Sequence, residues 1–217
     1  MDREAFLRRV SAAAMVATLP RPPAVPELLP DLEAVDVVGL FRTRAQGESV
    51  VVHGPVGRHG VPRAVAGIAA GHGCRTYMAW EDLPVPGVTS ALTGAGVERV
   101  EHRVPNEMRI PHQTEYQGLD LGVTGADAGL AESGSLVLLH GEGRPRMASL
   151  IPEVHIAILD ANLIERTLVH WAHRHPGLVF ETANMVVVTG PSRTADIEQQ
   201  VRLGVHGPRH LHVVLFR

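Results

Sequence analysis

The sequence predicts an α/β fold in which helices surround a sheet. Short β-rich runs alternate with helical runs from Val35 to the C-terminus, and this alternation is typical of the α/β class. A length of 217 residues, of which 45% are hydrophobic and 20% charged, supplies one sizeable core. We therefore predict one soluble α/β domain at residues 34–217, preceded at residues 1–33 by a helix and a proline-rich arm.

The composition excludes several functional classes. The net charge is −3 and only 4% of residues are aromatic, so no nucleic-acid partner is expected. All twenty basic residues are arginine, which excludes a lysine Schiff base, a pyridoxal-phosphate lysine and a Walker lysine. The single cysteine, Cys74, cannot ligate an iron–sulfur cluster that usually needs four thiolates. Arginine, histidine or backbone amides must hold any anion.

The first segment combines an amphipathic helix with a proline-rich arm. Residues 2–19 place apolar side chains at near-helical spacing, with Asp2 as the N-cap, and five prolines follow at residues 20–30. The helix either packs on its own domain or docks a partner. Acidic residues stand where a signal peptide needs positive charge, and no apolar run reaches the length of a membrane span. We expect a cytoplasmic protein without a membrane span.

The next segment is predicted from hydrophobic periodicity. The first two predicted strands lie at 35–41 and 49–53. A polar stretch containing Gly47 separates them, which predicts a hairpin. Pro62 suits the first turn of the following helix, and the glycines and histidines before it form either an anion nest or simple turns. We predict strands at 35–41, 49–53, 75–80 and 99–104, and helices that begin at 61 and span 88–96. Residues 105–117 are predicted to form a loop, which either covers a site or lies on the surface.

Residues 119–139 hold the main candidate site. A strand pattern through Leu121 and Val123 leads into a small-residue turn with Asp127 and Glu132, and a second strand pattern follows at 136–139. About ten residues between the strands favour an antiparallel pair or an unusually tight crossover, which holds both carboxylates at a sheet edge. They serve either in acid–base chemistry or as turn caps. The small residues beside them complete the candidate site: Thr124, Gly125, Ser133 and Gly134.

Arginines and histidines later in the chain suggest ligand sites. Arg144 and Arg146 follow the strand at 135–139 and either grip a carboxylate or phosphate bidentately or stay solvated. After a strand at 154–159, Asp160 is predicted to cap a helix whose apolar face includes Ile164, Leu168 and Trp171. His170 and His173 have metal-ligand spacing on that helix, but no third ligand is obvious nearby. We predict no metal.

The C-terminal segment contains a second candidate anion site. A strand at 184–190 is followed by a predicted turn and helix at 191–205, with Ser192 or Thr194 as the cap and Asp196 in the first turn. Free amides at that helix start, together with Arg193, form an anion cradle. Residues 212–216 are the last strand.

Three segments, at 122–139, 144–159 and 189–208, together resemble the LUD domain family, which includes bacterial lactate-utilisation protein C subunits. The resemblance covers roughly residues 35–217. It implies a Rossmann-like three-layer α/β sandwich with a mixed sheet, similar to the superfamily of sugar-phosphate isomerases and coenzyme A transferases. It also implies oxidation of L-lactate to pyruvate alongside two iron–sulfur partner proteins. This chain would carry no cofactor, and the clusters would lie in the partner subunits.

Ala131-Glu132-Ser133-Gly134 is similar to the catalytic Ser-Glu-Asn-Gly motif of the coenzyme A transferases. The resemblance therefore implies Glu132 as a nucleophile or as a base for the lactate hydroxyl, with Asp127 adding acid–base character. Arg193, or Arg146, would hold a small anionic ligand at residues 192–194, as the opposite wall of a cleft. The alternatives are a non-catalytic docking module for iron–sulfur proteins and a stand-alone transferase or hydrolase acting on an acyl-coenzyme A or a phosphorylated metabolite. A homo-oligomer is left open.

Overall fold

The computed structural model describes residues 2–16, 36–102, 116, 118–178, 182, 184–195, 201–203 and 207–217. The chain forms two compact units, Met1–Val35 and Asp36–Arg217. The first unit contains helix α1, where the Glu4 amide donates to Asp2 Oδ1 at 3.4 Å. The helix predicted at the N-terminus is thus confirmed, while the proline-rich arm lies outside the described residues. None of the described helices is long and apolar enough to cross a membrane.

The elements have the following bounds. The helices are α1 Arg3–Val16, α2 Val37–Gly47, α3 Val61–Gly71, α4 Val88–Gly94, α5 Met147–Leu150 and α6 Leu168–Arg174. The strands are β1 Val51–Val56, β2 Thr76–Ala79, β3 Glu98–Arg99, β4 Leu121–Gly125, β5 Ala128–Leu130, β6 Ser135–His140, β7 Val154–Asp160, β8 Ile164–Glu165, β9 Asn184–Val188, β10 Arg193–Ala195, β11 Val201–Leu203 and β12 His210–Phe216.

The main sheet contains six strands in the order β1-β12-β7-β4-β2-β3, and every pairing in it is parallel. Its central strands are apolar on both faces, as expected when both faces are covered. Ile156 and Ile158 of β7 face a core with α3 and α4. Ala157 and Leu159, which alternate with them, face a core shared with α2 and β6. The predicted α/β class is confirmed.

A second, mixed sheet has the order β8-β5-β6-β9. β6 pairs antiparallel with both β5 and β9, while β5 pairs parallel with β8. One face of β6 contributes Leu136 and Leu138 to the core shared with the main sheet. Val137 and Leu139 point to the other face and pack in a separate cluster with Trp171 of α6. The second sheet therefore lies between the main sheet and α6.

The hairpin predicted near residue 41 is wrong. Residues 37–47 form helix α2, which begins at Asp36, whose Oδ1 accepts from the Gly39 amide at 3.0 Å. Phe41 and Ala45 are both fully buried, at the i, i+4 spacing of one helix face. The β-branched pair Val37-Val38 favoured a strand locally, but burial of this stripe outweighs that propensity. Within the described residues, β1 pairs only with β12, and that pairing is parallel.

The two strands predicted around Asp127 do not pair with each other. β4 belongs to the main sheet and β6 to the second sheet, and the intervening strand β5 forms the antiparallel pair with β6. The tight turn between β5 and β6 uses Gly134, whose φ is +68°. A Cβ there would lie 2.2 Å from the Ala45 backbone nitrogen, so only glycine allows the turn to rest on α2.

Two helix predictions near the C-terminus are also wrong. Asp160 caps only a short 3₁₀ turn, Ile164 lies in β8, and α6 begins after Thr167, whose Oγ1 accepts from the His170 amide at 3.3 Å. The helix predicted at 191–205 is replaced by the antiparallel pair β10–β11. Its β-branched residues Thr194 and Val201 favour extended backbone. The strands predicted at 75–80, 154–159, 184–190 and 212–216 and the helices predicted from 61 and at 88–96 are confirmed.

Candidate functional site

The main sheet has a topological switch point between β2 and β4. From β2 the chain passes through α4 to β3 on one side, whereas from β4 it continues to β7 on the other side. In open parallel sheets, ligands bind outside the carboxyl ends of the two strands that flank such a point. The residues that follow these strands, Trp80 to Asp82 and Asp127, therefore mark the candidate site.

Arg144 joins the two strand ends. Its Nη1 donates to Asp127 Oδ1 at 2.8 Å. Its Nε donates to both carboxylate oxygens of Asp82, at 2.8 and 3.0 Å, and its Nη2 lies 2.7 Å from Asp82 Oδ2. The guanidinium also stacks over Trp80, 4.9 Å from the ring centroid. The hydrogen bond to Asp82, with that to Asp127, raises the pKa of Arg144 despite partial burial.

Asp127 is fixed by the junction of the two sheets. Its amide donates to the Val137 carbonyl at 2.9 Å, next to the point where β5 and β6 begin to pair. Its Oδ2 accepts from the Leu139 amide at 2.8 Å, while Oδ1 accepts from Arg144. The Asp127 side chain is only 20% exposed, compared with 56% for Asp82. Asp127 therefore positions Arg144 from the buried side, and both of its oxygens are engaged.

Buried polar groups lie beneath this arginine. Trp80 and His140 are 1% and 4% exposed, and their rings meet edge to face at 5.6 Å. Trp80 Nε1 and His140 Nδ1 make no hydrogen bond of normal geometry within the described residues. Burial lowers the pKa of His140, opposed by the backbone of Asn184. Thr124, a predicted ligand-binding residue, is buried and bonds His155 Nε2 through its Oγ1 at 2.9 Å.

His102 and Glu81 form a second polar pair near the switch point. His102 Nε2 lies 3.6 Å from Glu81 Oε1, and the His102 side chain is 11% exposed. The Glu81 amide donates to the Gly143 carbonyl at 2.9 Å. Gly143 has φ +72°, and a Cβ there would lie 2.9 Å from Glu81 Oε2. Glu81 therefore packs against the residue that precedes Arg144.

Ser133, one of the other predicted ligand-binding residues, lies at the opposite end of β6. Ser133 Oγ contacts Ser135 Oγ at 2.8 Å, and Ser135 Oγ contacts Thr189 Oγ1 at 2.9 Å. Arg193 Nη1 donates to Glu48 Oε2 at 3.2 Å, and its Nη2 donates to Ser49 Oγ at 3.0 Å. The two segments predicted as the walls of a cleft thus meet through Ser135 and Thr189, but Arg193 is paired with Glu48.

Comparison with known proteins identifies the family. Residues 92–216 match the family model of the LUD domain. The chain belongs to the LUD domain family. A lactate utilization protein C from Shouchella clausii is 32% identical over 142 residues, which cover 63% of this chain and 60% of the relative. One from Halalkalibacterium halodurans is 33% identical over 152 residues, covering 67% of this chain and 64% of the relative. The chain thus spans less than two thirds of the length of these relatives.

A solved structure supports the fold of this LUD domain protein. The crystal structure of a DUF162 family protein from Deinococcus radiodurans matches with a TM-score of 0.64 and 24% sequence identity, covering 83% of this chain and 96% of that chain. At this identity the match carries the fold alone. The predicted resemblance to the family and the predicted three-layer α/β sandwich are confirmed.

The LUD domain separates the predicted site residues into two groups. Asp127 and Arg144 lie near the His140 end of β6, while exposed Glu132 follows β5 at the Ser135 end. Asp127 is anchored on Leu139, which lies roughly 13 Å along β6 from Ser135. No described contact joins Glu132 to Asp127 or Arg144.

Of the remaining predicted residues, Gly125 lies beside Trp80, since a Cβ on it would be 3.8 Å from Trp80 Cε3. The others make no described contact with Arg144. Arg146 is exposed at the start of α5, and a Cβ on Gly125 would lie 3.1 Å from Pro84 Cδ. The Ser192 amide donates to the Pro208 carbonyl at 2.8 Å, Thr194 lies in β10, and Asp196 is outside the described residues. Within the described ranges, no three His, Cys, Asp or Glu side chains form a group that could hold a metal ion.

Sequence analysis missed Trp80, Glu81, Asp82, His102 and His140. The available signal was positional, since a tryptophan followed by two acidic residues stands directly after the strand predicted at 75–80. Residues that follow parallel strands meet at the same sheet edge. Strand order was needed to show that β2 and β4 are neighbours, and strand order was not part of the prediction.

Proposed function

We propose that this protein is a subunit of an L-lactate utilisation system that oxidises L-lactate to pyruvate together with iron–sulfur partner subunits, and that Arg144 binds the lactate carboxylate. The names of the matched relatives support the pathway. The oxidation removes two electrons and two protons from the carbinol group. The electrons pass to clusters in the partner subunits, and both protons, that of the hydroxyl by way of a base in this chain, pass to solvent. This chain has only Cys74, and one thiolate cannot hold a cluster that usually needs four.

The observation that carries the proposal is the bidentate geometry of Arg144. Its Nε and Nη2 already hold one carboxylate, that of Asp82, at 2.7 to 3.0 Å. A planar guanidinium binds a carboxylate through two parallel N–H donors, and stacking on Trp80 with the bond to Asp127 fixes the orientation of that plane. The same fork is suited to the carboxylate of a 2-hydroxy acid.

His102 is the proposed base for the lactate hydroxyl. The carboxylate of Glu81, at 3.6 Å, stabilises the imidazolium that forms when His102 accepts the proton. Glu81 in turn packs against Gly143, adjacent to Arg144. His140 is less suitable, because it is 4% exposed and burial lowers its pKa, which disfavours its charged form.

The test is reconstitution of the complete complex with its iron–sulfur subunits, with an artificial electron acceptor as the readout. Arg144→Lys keeps the positive charge but removes the bidentate fork, so we expect KM for L-lactate to rise about ten-fold or more. Arg75→Lys is the matched control, because Arg75 is exposed and directly precedes β2, at the amino end of that strand. If Arg144→Lys has the same KM as the parent complex, Arg144 does not bind the substrate.

A second candidate function, docking of the iron–sulfur subunits without catalysis, is favoured by β9. Among the described strands, β9 lies at one edge of the second sheet, and it contains no charge or proline over Asn184–Val188. Met185 and Val187 are 43% and 39% exposed. Edge strands usually carry charges or prolines that prevent further pairing, so an apolar edge strand is suited to a partner that adds a strand.

A further inference from the structure

We propose that Asp82 is a built-in competitor for the carboxylate site, so that a small monocarboxylate binds by displacing the Asp82 side chain from Arg144. This inference rests on the proposed function, because it specifies how that carboxylate site is reached. It also identifies a residue that sets the affinity of the site without itself contacting the bound ligand.

The two carboxylates on Arg144 differ in how firmly they are held. Asp127 is 20% exposed, and its second oxygen accepts from the Leu139 amide at 2.8 Å. Asp82 is 56% exposed, lies in the turn after β2, and contacts Arg144 alone among the described contacts of its carboxylate. Water can solvate Asp82 when it leaves, whereas releasing Asp127 would leave a backbone amide without its acceptor. Asp82 is therefore the exchangeable partner.

The exchange preserves charge. A monocarboxylate that replaces Asp82 on Nε and Nη2 brings one negative charge and frees one negative charge into solvent. Arg144 keeps its bond to Asp127 and its stacking on Trp80. The nearby carboxylates of Asp82 and Glu81 oppose a second negative charge on the ligand. The expected ligands are thus small monocarboxylates, including 2-hydroxy acids, rather than dicarboxylates or phosphates.

Competition at one arginine lowers the apparent affinity by the fraction of molecules in which Arg144 is free. Removing the Asp82 charge should therefore strengthen binding. For a solvent-exposed ion pair we expect Asp82→Asn to lower the Kd for L-lactate by about five-fold. In the reconstituted complex the same variant should lower KM for L-lactate by a similar factor.

The experiment titrates the 217-residue chain with sodium L-lactate, acetate, malonate and phosphate at constant ionic strength. The indole N–H resonance of Trp80 is a local readout, since the chain has only two tryptophans and Trp171→Phe assigns the other. Glu98→Gln is the matched control, because it removes one carboxylate charge at the amino end of the neighbouring strand pair, where Glu98 is opposite Thr76. It should leave the Kd unchanged.

The outcomes separate this inference from the proposed function. A Kd for L-lactate that is about five-fold lower in Asp82→Asn, unchanged in Glu98→Gln and lost in Asp82→Asn with Arg144→Gln supports displacement. Equal Kd values in Asp82→Asn and the parent chain overturn it, even if the complex oxidises lactate in an Arg144-dependent manner. Absence of saturable binding in every variant overturns it as well, and lactate oxidation by the complex then decides separately whether the proposed function stands.

Discussion

Asp127 and Arg144 are joined at 2.8 Å across the junction of the two sheets. Because both side chains are largely shielded, removing the arginine leaves a carboxylate with one remaining partner, the Leu139 amide. We expect Arg144→Met to lower the free energy of unfolding by about 2 kcal/mol. Urea denaturation measures this loss. In a double-mutant cycle with Asp127→Asn the two losses should not add, and additive losses would show that the pair contributes nothing as a unit.

Gly122 allows α5 to pack directly on β4. A Cβ at this position would lie 1.7 Å from the Ala148 carbonyl oxygen and 2.7 Å from Pro152 Cγ. Because one of these atoms belongs to the backbone, Gly122→Ala should displace α5 and cost about 3 kcal/mol of unfolding free energy. Gly67→Ala is the control: this glycine lies inside α3 with open space around its Cβ position. The control should gain about 0.5–1 kcal/mol. Equal changes in unfolding free energy for Gly122→Ala and Gly67→Ala would contradict the close packing of α5 on Gly122.

Buried histidines predict that acid destabilises the fold. Burial first, and then neighbouring histidines, lowers the pKa of His212 to about 4, and burial with His140 lowers that of His155 to about 3. In the unfolded chain these groups titrate near pH 6.5. The unfolded state therefore binds more protons below pH 6.5, and the stabilisation that is complete above that pH is lost as pH falls toward the folded-state values.

His212 supplies the test of this pH dependence. Its Nδ1 contacts His53 Nε2 at 3.0 Å, and its Nε2 contacts His72 Nε2 at 2.9 Å. Urea unfolding between pH 7 and pH 4.5 should show a slope that approaches about 1.4 kcal/mol per pH unit for each such histidine. His212→Gln should reduce the slope, since glutamine does not titrate. A slope unaffected by this substitution would assign the acid sensitivity to other groups.

The local hydrophobic pattern was sufficient to predict an element where the residues of that pattern are also the ones buried in the fold. The stripe of Val61 and Val65 predicted α3, and both residues are fully buried. It failed at residues 37–47, where β-branched residues suggested a strand and burial of Phe41 and Ala45 produced a helix. The candidate site could be predicted only in part: Asp127 and Arg144 were found, but Asp82 was not, because the pairing of β2 with β4 is non-local.

The exposed edge of β9 predicts a partner contact. Val187 is 39% exposed. Its backbone pairs with that of Val137 in β6, along the one edge of β9 that has a neighbouring strand among the described residues. A lysine on an edge strand opposes further strand addition at little cost to the monomer. We expect Val187→Lys to abolish co-purification of the iron–sulfur subunits while the thermal midpoint changes by less than about 4 °C. Val51→Lys, on the edge strand of the main sheet and 48% exposed, is the control. Intact co-purification of Val187→Lys would exclude this edge as the docking surface.

Substitutions of His102 and Glu132 are expected to have opposite effects on kcat, because the two residues lie near different ends of β6. His102 is paired with Glu81 beside the Arg144 loop, whereas Glu132 is exposed in the turn between β5 and β6. If lactate binds at Arg144, His102→Gln should lower kcat in the complex by about 100-fold or more, the usual contribution of a general base. Glu132→Gln should leave kcat within about two-fold of the parent value. The reverse result, with Glu132 required and His102 dispensable, would move the reaction to the Ser133–Ser135–Thr189 end of β6.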